Sequence, residues 1–237
     1  MNILHEASVA LVAGITKYKP NTKEIEWEDN NSPITIEITD ADTESCIIRR
    51  YYKNGNLAYE TQYHQNQIHG TAKWYYKNGA LQHEIPYYQN RVHGTEKRYY
   101  KDGKLKYEIP HHQGLLHGTG KWYYENGTLE YEISYHHDQR HGTEKWYNKD
   151  GTLRHEIPYH QGKIHDTIKR YYKDGKLNYE VPYHQNQIHG TERHYYKDGT
   201  LEYEISYHQN QIHGIEKWYD ENGKLKYKKH WQNGTSQ

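Results

Sequence analysis

Side chains of two characters alternate along most of this chain. Ile68, Gly70, Ala72, Trp74 and Tyr76 interleave with His69, Thr71, Lys73 and Tyr75, and after Asn78-Gly79 the alternation resumes with Leu81, Ile85 and Tyr87 against Gln82 and Glu84. A period of two is that of a strand, whose successive side chains point to opposite sides of a sheet. Asn-Gly between two such runs is the strongest short hairpin signal, because both positions tolerate positive φ. The pattern predicts an antiparallel hairpin with one aromatic, apolar face and one polar face that also carries His64.

The hairpin recurs. Gly55, Gly79, Gly103, Gly127, Gly151, Gly175, Gly199 and Gly223 are each 24 residues apart, and a leucine follows every one of them by two positions. His69, His93, His117, His141, His165, His189 and His213 form a second column with the same step. Gly70, Gly94, Gly118, Gly142, Gly190 and Gly214 form a third, in which Asp166 replaces glycine and predicts a distorted unit. A second turn is expected near Asn66-Gln67 and Gly162-Lys163. A fixed period of this length marks a tandem array. The predicted fold class is all-β: an elongated single-layer antiparallel β-meander of tandem 24-residue hairpin repeats, with about fifteen short strands. Residues 49–237 hold about seven and a half repeats. Residues 1–48 fall outside the period, although Ile15–Tyr18, Glu24–Trp27 and Ile34–Ile38 look strand-like, so this segment reads as a β cap for the first repeat.

Taking Asn78-Gly79 as a two-residue turn, Tyr76 faces Leu81, Tyr75 faces Gln82, Trp74 faces His83 and Lys73 faces Glu84. The same arithmetic opposes Lys97 to Glu108, Lys121 to Glu132, Lys145 to Glu156, Lys169 to Glu180 and Arg193 to Glu204. Such pairs contribute roughly 0.2–1 kcal/mol each and set register. Lys217 with Lys228 breaks the rule near the last strand, where positive charge discourages further strand pairing. At the second turn Tyr63, Tyr87, Tyr183 and Tyr207 fall opposite Gly70, Gly94, Gly190 and Gly214, a ring covering a glycine. A three-residue loop with a bulge is the alternative and shifts every partner by one; the two-residue turn is preferred because it aligns charges and rings together.

Composition explains how thin this fold must be. The chain has 28 Tyr and no Phe, and its mean hydropathy is −1.32. Aliphatic side chains are too few for a thick core, and the tyrosine hydroxyls need partners. Lys plus Arg and Asp plus Glu both number 31, so strong unspecific attraction to nucleic acid or to an anionic membrane is not expected. The 20 histidines would make the chain cationic in mildly acidic surroundings. Cys46 is the single cysteine, which excludes an internal disulfide framework and fits a reducing, cytoplasmic setting for a soluble protein. The apolar stretch Ala7–Ile15 is too short to span a bilayer.

The columns Asn-Gly-x-Leu, the second-turn Gly114 and Gly162, and the recurring His-Gly pairs resemble MORN repeats, in the variant found in proteins labelled YwqK-family antitoxins. The resemblance covers roughly residues 50–234. Most second turns depart from it, with Asn66, Asn90, Asp138, Asn186 and Asn210 where the family has glycine, but Asn and Asp tolerate the left-handed conformation. The resemblance implies a twisted single-layer sheet whose aromatic residues pack between neighbouring repeats. It also implies an interaction module, since such proteins are linked with scaffolding, membrane association or an antitoxin role.

Catalytic chemistry is not visible. No phosphate loop, nucleophile elbow or Ser/His/Asp set is present, and His83-Glu84 and His155-Glu156 lack the second histidine of a zinc protease helix. Carboxylates are seen opposite Lys, as register devices rather than acid/base pairs. His64 with His69, His160 with His165, His184 with His189 and His208 with His213 face each other across the second turn. A structural zinc wants about four ligands, and the next repeat's His column lies two strands away, at about 9.5 Å for ordinary strand spacing; a structural His ladder without metal is therefore the reading. Arg98, Arg170 and His194 replace Trp and Arg140 replaces an aliphatic residue, which makes these positions candidates for tuning a partner site. The sequence thus predicts a non-enzymatic scaffold without cofactor, binding a protein partner through Trp74, Tyr76, Trp122, Tyr124, Trp146 and Trp218. The alternative is an antitoxin or immunity-like protein that neutralises a co-encoded toxin.

Overall fold

The computed structural model describes residues 24–26, 35–39 and 45–237. The expected strand Ile15–Tyr18 and the apolar stretch Ala7–Ile15 lie outside the described residues. The chain divides into two units, residues 1–116 and 117–237. Each is an open antiparallel meander of hairpins, and among the described residues there is no helix. In the first unit Glu24–Glu26 pairs with Thr35–Thr39, which pairs in turn with Ser45–Tyr51, the first strand of the first hairpin.

The first turn is a three-residue loop in every repeat, not the two-residue turn expected. In the hairpin of Tyr75 and Leu81, the Gly79 amide donates to the Tyr76 carbonyl and the Tyr76 amide to the Ala80 carbonyl, both at 2.8 Å. Only the glycine is left-handed, at φ 86, while the Asn78 side chain accepts the Ala80 amide at 3.1 Å. Tyr75 therefore faces Leu81 instead of Gln82, and Tyr76 closes the loop against Ala80. A bulge at Gln82, opposite the Trp74–Tyr75 step, then takes up one residue and restores Trp74 opposite His83 and Lys73 opposite Glu84. Two offsets of opposite sense cancel, so the expected register holds along the strand bodies and fails beside the loop.

The two-residue turn with both residues left-handed is instead the second one, as at Gln65 (φ 49) and Asn66 (φ 62). It places Tyr63 opposite Ile68 and His64 opposite Gln67. Tyr63 consequently does not cover Gly70; Tyr87, Tyr183 and Tyr207 likewise face Val92, Ile188 and Ile212 rather than glycine. The ring-over-glycine pairs occur across the other hairpin, with Gly70 opposite Tyr87 and Gly190 opposite Tyr207. The irregularity beside His69 breaks the returning strand into Gln67–Ile68 and Gly70–Tyr75, and similar breaks raise the number of strand segments well above fifteen.

Neighbouring hairpins are tied at three levels. Strand bodies pair, as Tyr59 with Trp74 and Glu60 with Lys73. At the first-turn edge a tyrosine hydroxyl reaches the next turn: Tyr52 donates to the Tyr75 carbonyl at 2.7 Å and Tyr172 to the Tyr195 carbonyl at 2.7 Å. At the second-turn edge the Asn186 amide donates to the Ile164 carbonyl at 2.9 Å while its side-chain oxygen accepts the Ile164 amide at 2.7 Å. Glycine in the same turn makes only the first of these bonds, as Gly162 does to Arg140, which explains why asparagine is so well accommodated there.

Asp166 does not distort its unit. It adopts φ 85, a glycine-like conformation, and faces Tyr183 as the glycines of other repeats face their tyrosines. Its backbone carries the strain instead. Left-handed backbone costs an L-residue about 1–2 kcal/mol, partly offset by the extra freedom glycine loses on folding, about 0.5–1 kcal/mol. Asp166→Gly is expected to raise the urea midpoint, by up to about 1 kcal/mol of stability; a lowered midpoint would show that the aspartate is relaxed.

Candidate binding face

One side chain per strand builds a continuous row within each unit. In the first unit Arg50, Tyr59, Trp74, His83, Arg98 and Tyr107 are successive cross-strand partners. In the second the row runs Trp122, Tyr131, Trp146, His155, Arg170, Tyr179, His194, Tyr203, Trp218 and Tyr227. Every member is a flat π group. Trp122 and Tyr131 stack with ring centres 4.1 Å apart and planes 8° apart, Tyr131 and Trp146 at 4.4 Å, His194 and Tyr203 at 4.2 Å, and Tyr203 and Trp218 at 4.3 Å. Strands about 4.8 Å apart set rings at stacking distance when the rings stand parallel to one another. His194 now has a physical reason, since it stacks on both Tyr179 and Tyr203; Arg98 and Arg170 hold the same place in the row, and a planar guanidinium is able to stack as indole does.

Beside this row, on the same face, stands a column that sequence reading treated as apolar because Ala72 belongs to it. Its other members include Glu96, Glu144, Glu192 and Glu216. The carboxylates accept hydrogen bonds from the row itself. Glu96 lies 2.8 Å from His83 Nε2 and accepts the Tyr107 hydroxyl at 2.8 Å. Glu192 lies 2.7 Å from His194 Nε2, and Glu216 accepts the indole N–H of Trp218 at 2.7 Å and of Trp231 at 2.6 Å. The hydrogen bond from His83, more than offsetting burial and assisted by Tyr107, holds the Glu96 carboxyl below its ordinary range. Glu144 is only 4 % exposed; it accepts the Trp146 indole N–H and pairs with Arg140 at 3.2 Å. Arg140 thus stands in an aliphatic column because a buried acid needs its charge. The alternation of the Ala72 column between acidic and small or aliphatic residues was the available sequence signal.

The opposite face carries an alternating charge row. The opposed Lys and Glu positions are present, as Lys97 with Glu108 and Lys169 with Glu180. Bases also reach the acid of the preceding hairpin: Arg193 lies 3.3 Å from Glu180 and 3.5 Å from Glu204, and Lys217 lies 2.7 Å from Glu204. Tyrosines beside the first turn join in, Tyr99 donating to Glu84 at 2.8 Å and Tyr171 to Glu156 at 2.6 Å. Lys217 faces Lys228.

Among the candidate partner contacts, Trp74, Trp122, Trp146 and Trp218 stand in the planar row and are half-buried. Tyr76 and Tyr124 belong to the first-turn edge, where their hydroxyls donate to the carbonyls of Tyr99 at 2.8 Å and Tyr147 at 2.9 Å. The histidines form an edge row rather than isolated pairs. His160 and His165 are 6.1 Å apart, and His165 lies 4.9 Å from His184 of the next hairpin; His189 lies 4.7 Å from His208. The separation of about 9.5 Å inferred from strand spacing does not isolate the pairs, because the two His columns interleave.

The profile of one protein family, described as MORN repeat variant, matches residues 47–65, 68–90, 92–113, 116–137, 140–161, 167–185, 188–209 and 212–233. No curated protein matches the chain.

Two outcomes follow from the buried acids. Arg140→Ile restores the residue type of neighbouring repeats, yet it removes the charge partner of Glu144, so it is expected to destabilise by about 1–3 kcal/mol; the Arg140→Ile/Glu144→Ile pair should recover most of that in urea unfolding. Glu96→Gln should also destabilise at neutral pH. Because the folded pKa of Glu96 is lowered, its contribution is present above the unfolded value and is lost as pH falls through the folded one. The gap between wild type and Glu96→Gln should therefore close in acid, and a gap independent of pH would contradict the assignment.

Proposed function

The chain belongs to the MORN repeat variant family, whose profile matches it over more than half its length, and from that premise we propose that it is a non-catalytic scaffold that holds a protein partner against its planar row. The supporting observation is the row itself. Its rings are half-buried except for the exposed Tyr227, and among the described residues no helix stands over them. Trp, Tyr and Arg are the residues on which interface energy concentrates, since they offer large area with few rotors and a polar edge. Equal numbers of basic and acidic residues favour a protein over a nucleic acid or an anionic membrane. A reducing cytoplasm suits the lone, buried thiol of Cys46.

A second reading places the protein in the YwqK type, with a co-encoded toxin as the partner; the repeated His-Gly and Asn-Gly-x-Leu columns favour it. A toxin-like reading frame beside the gene supports this reading, and an unrelated neighbourhood removes it. For the scaffold, affinity capture from the native host should recover a stable protein. Trp74→Ala, Trp122→Ala and Trp146→Ala together should abolish that capture, while the same positions changed to Tyr keep the row flat and retain it. Undiminished capture by the triple alanine variant would refute the planar row as the docking face.

A further inference from the structure

One second turn differs from the rest. The position after the strand-ending residue is Gln65, Gln89, Gln113, Gln161, Gln185, Gln209 or Asn233 in the other repeats, and it is His137 here. His136 ends the strand Leu129–His136, and His137 with Asp138 forms the left-handed turn at φ 50 and 64. His117 lies at the break between the strand segments Leu115–Leu116 and Gly118–Tyr123, and its ring stands beside both. The ring centres are 5.1 Å apart for His117 and His136, 5.2 Å for His117 and His137, and 4.3 Å for His136 and His137. One nitrogen from each ring lies within 4.8 Å of the others, and the Nδ1 atoms of His136 and His137 are 3.3 Å apart. Elsewhere along the edge the imidazoles run in single file; here a third one stands beside the file and closes a triangle.

We propose that His117, His136 and His137 form a binding site for one divalent transition-metal ion of the zinc, nickel or copper class. Imidazole nitrogens bind such ions at about 2.0–2.1 Å, which sets neighbouring ligand atoms roughly 3.3 Å apart in a tetrahedron. The His136–His137 pair already has this separation. His136 and His137 are exposed, so side-chain rotation is free to draw the longer edges in. An all-imidazole set selects this class over calcium or magnesium, which take oxygen ligands. Three protein ligands leave a further coordination position open to water or to a partner's side chain. The site is independent of the planar row and does not rest on the scaffold reading.

The test titrates the full chain, stripped with a chelator, with zinc or nickel chloride alone by calorimetry near neutral pH. One site should bind at least tenfold more tightly than any other. His137→Gln, which installs the residue of the other repeats, should weaken that site at least tenfold with an unchanged circular dichroism spectrum. His189→Gln, in a turn without the third imidazole, should leave it intact. Affinity should also fall in mild acid, as protons compete for the ligand nitrogens. The absence of a site tighter than the general background, or tight binding that survives His137→Gln, would overturn the assignment.

Discussion

A sheet one layer thick offers no opposing layer in which to bury side chains, so hairpin must hold hairpin through contacts that run along the columns. The planar row is the strongest expression of that constraint. Cross-strand pairs are the unit of sheet stabilisation, and in this chain each interior member of a row is paired on both sides within its unit. The tyrosine hydroxyls of the first-turn edge and the asparagine side chains of the second-turn edge repeat the same solution with hydrogen bonds. The complete absence of phenylalanine follows: in several of these columns the ring is useful because a hydroxyl at its tip reaches the neighbouring repeat.

Much of this was legible before any coordinates. The 24-residue step, the two turns per unit, the alternation of faces and the Lys–Glu register all follow from residue positions. What escaped was local. Asn-Gly reads as a two-residue turn, but its asparagine stays out of the left-handed region and caps a three-residue loop with its side chain. The compensating bulge at Gln82 leaves no mark in composition, because any residue can occupy it. Gln-Asn, a weak turn signal, adopts the tighter conformation since the next hairpin supplies hydrogen bonds that a single hairpin does not have.

The face was read with similar partial success. Alternation assigned Trp74, Trp122, Trp146 and Trp218 to one side, while Tyr76 and Tyr124 were counted with them although their hydroxyls are engaged at the edge. The acids of the Ala72 column escaped because a carboxylate is presumed to be solvated; here indole, imidazole and phenol donors from the adjacent row replace the water. Arg140 shows the general rule: a departure from a repeat column is explained by its neighbour in space, which lies outside its own column.

The charge row has an evolutionary corollary. Each 24-residue unit contributes one basic strand and one acidic strand, so duplication or loss of a whole unit returns the same sequence of signs at the new junction. Half a unit would set lysine against lysine, a mismatch found among the described residues between Lys217 and Lys228. Copy number in such a protein is therefore free to drift in whole hairpins, and length can change by recombination without any new interaction having to be invented.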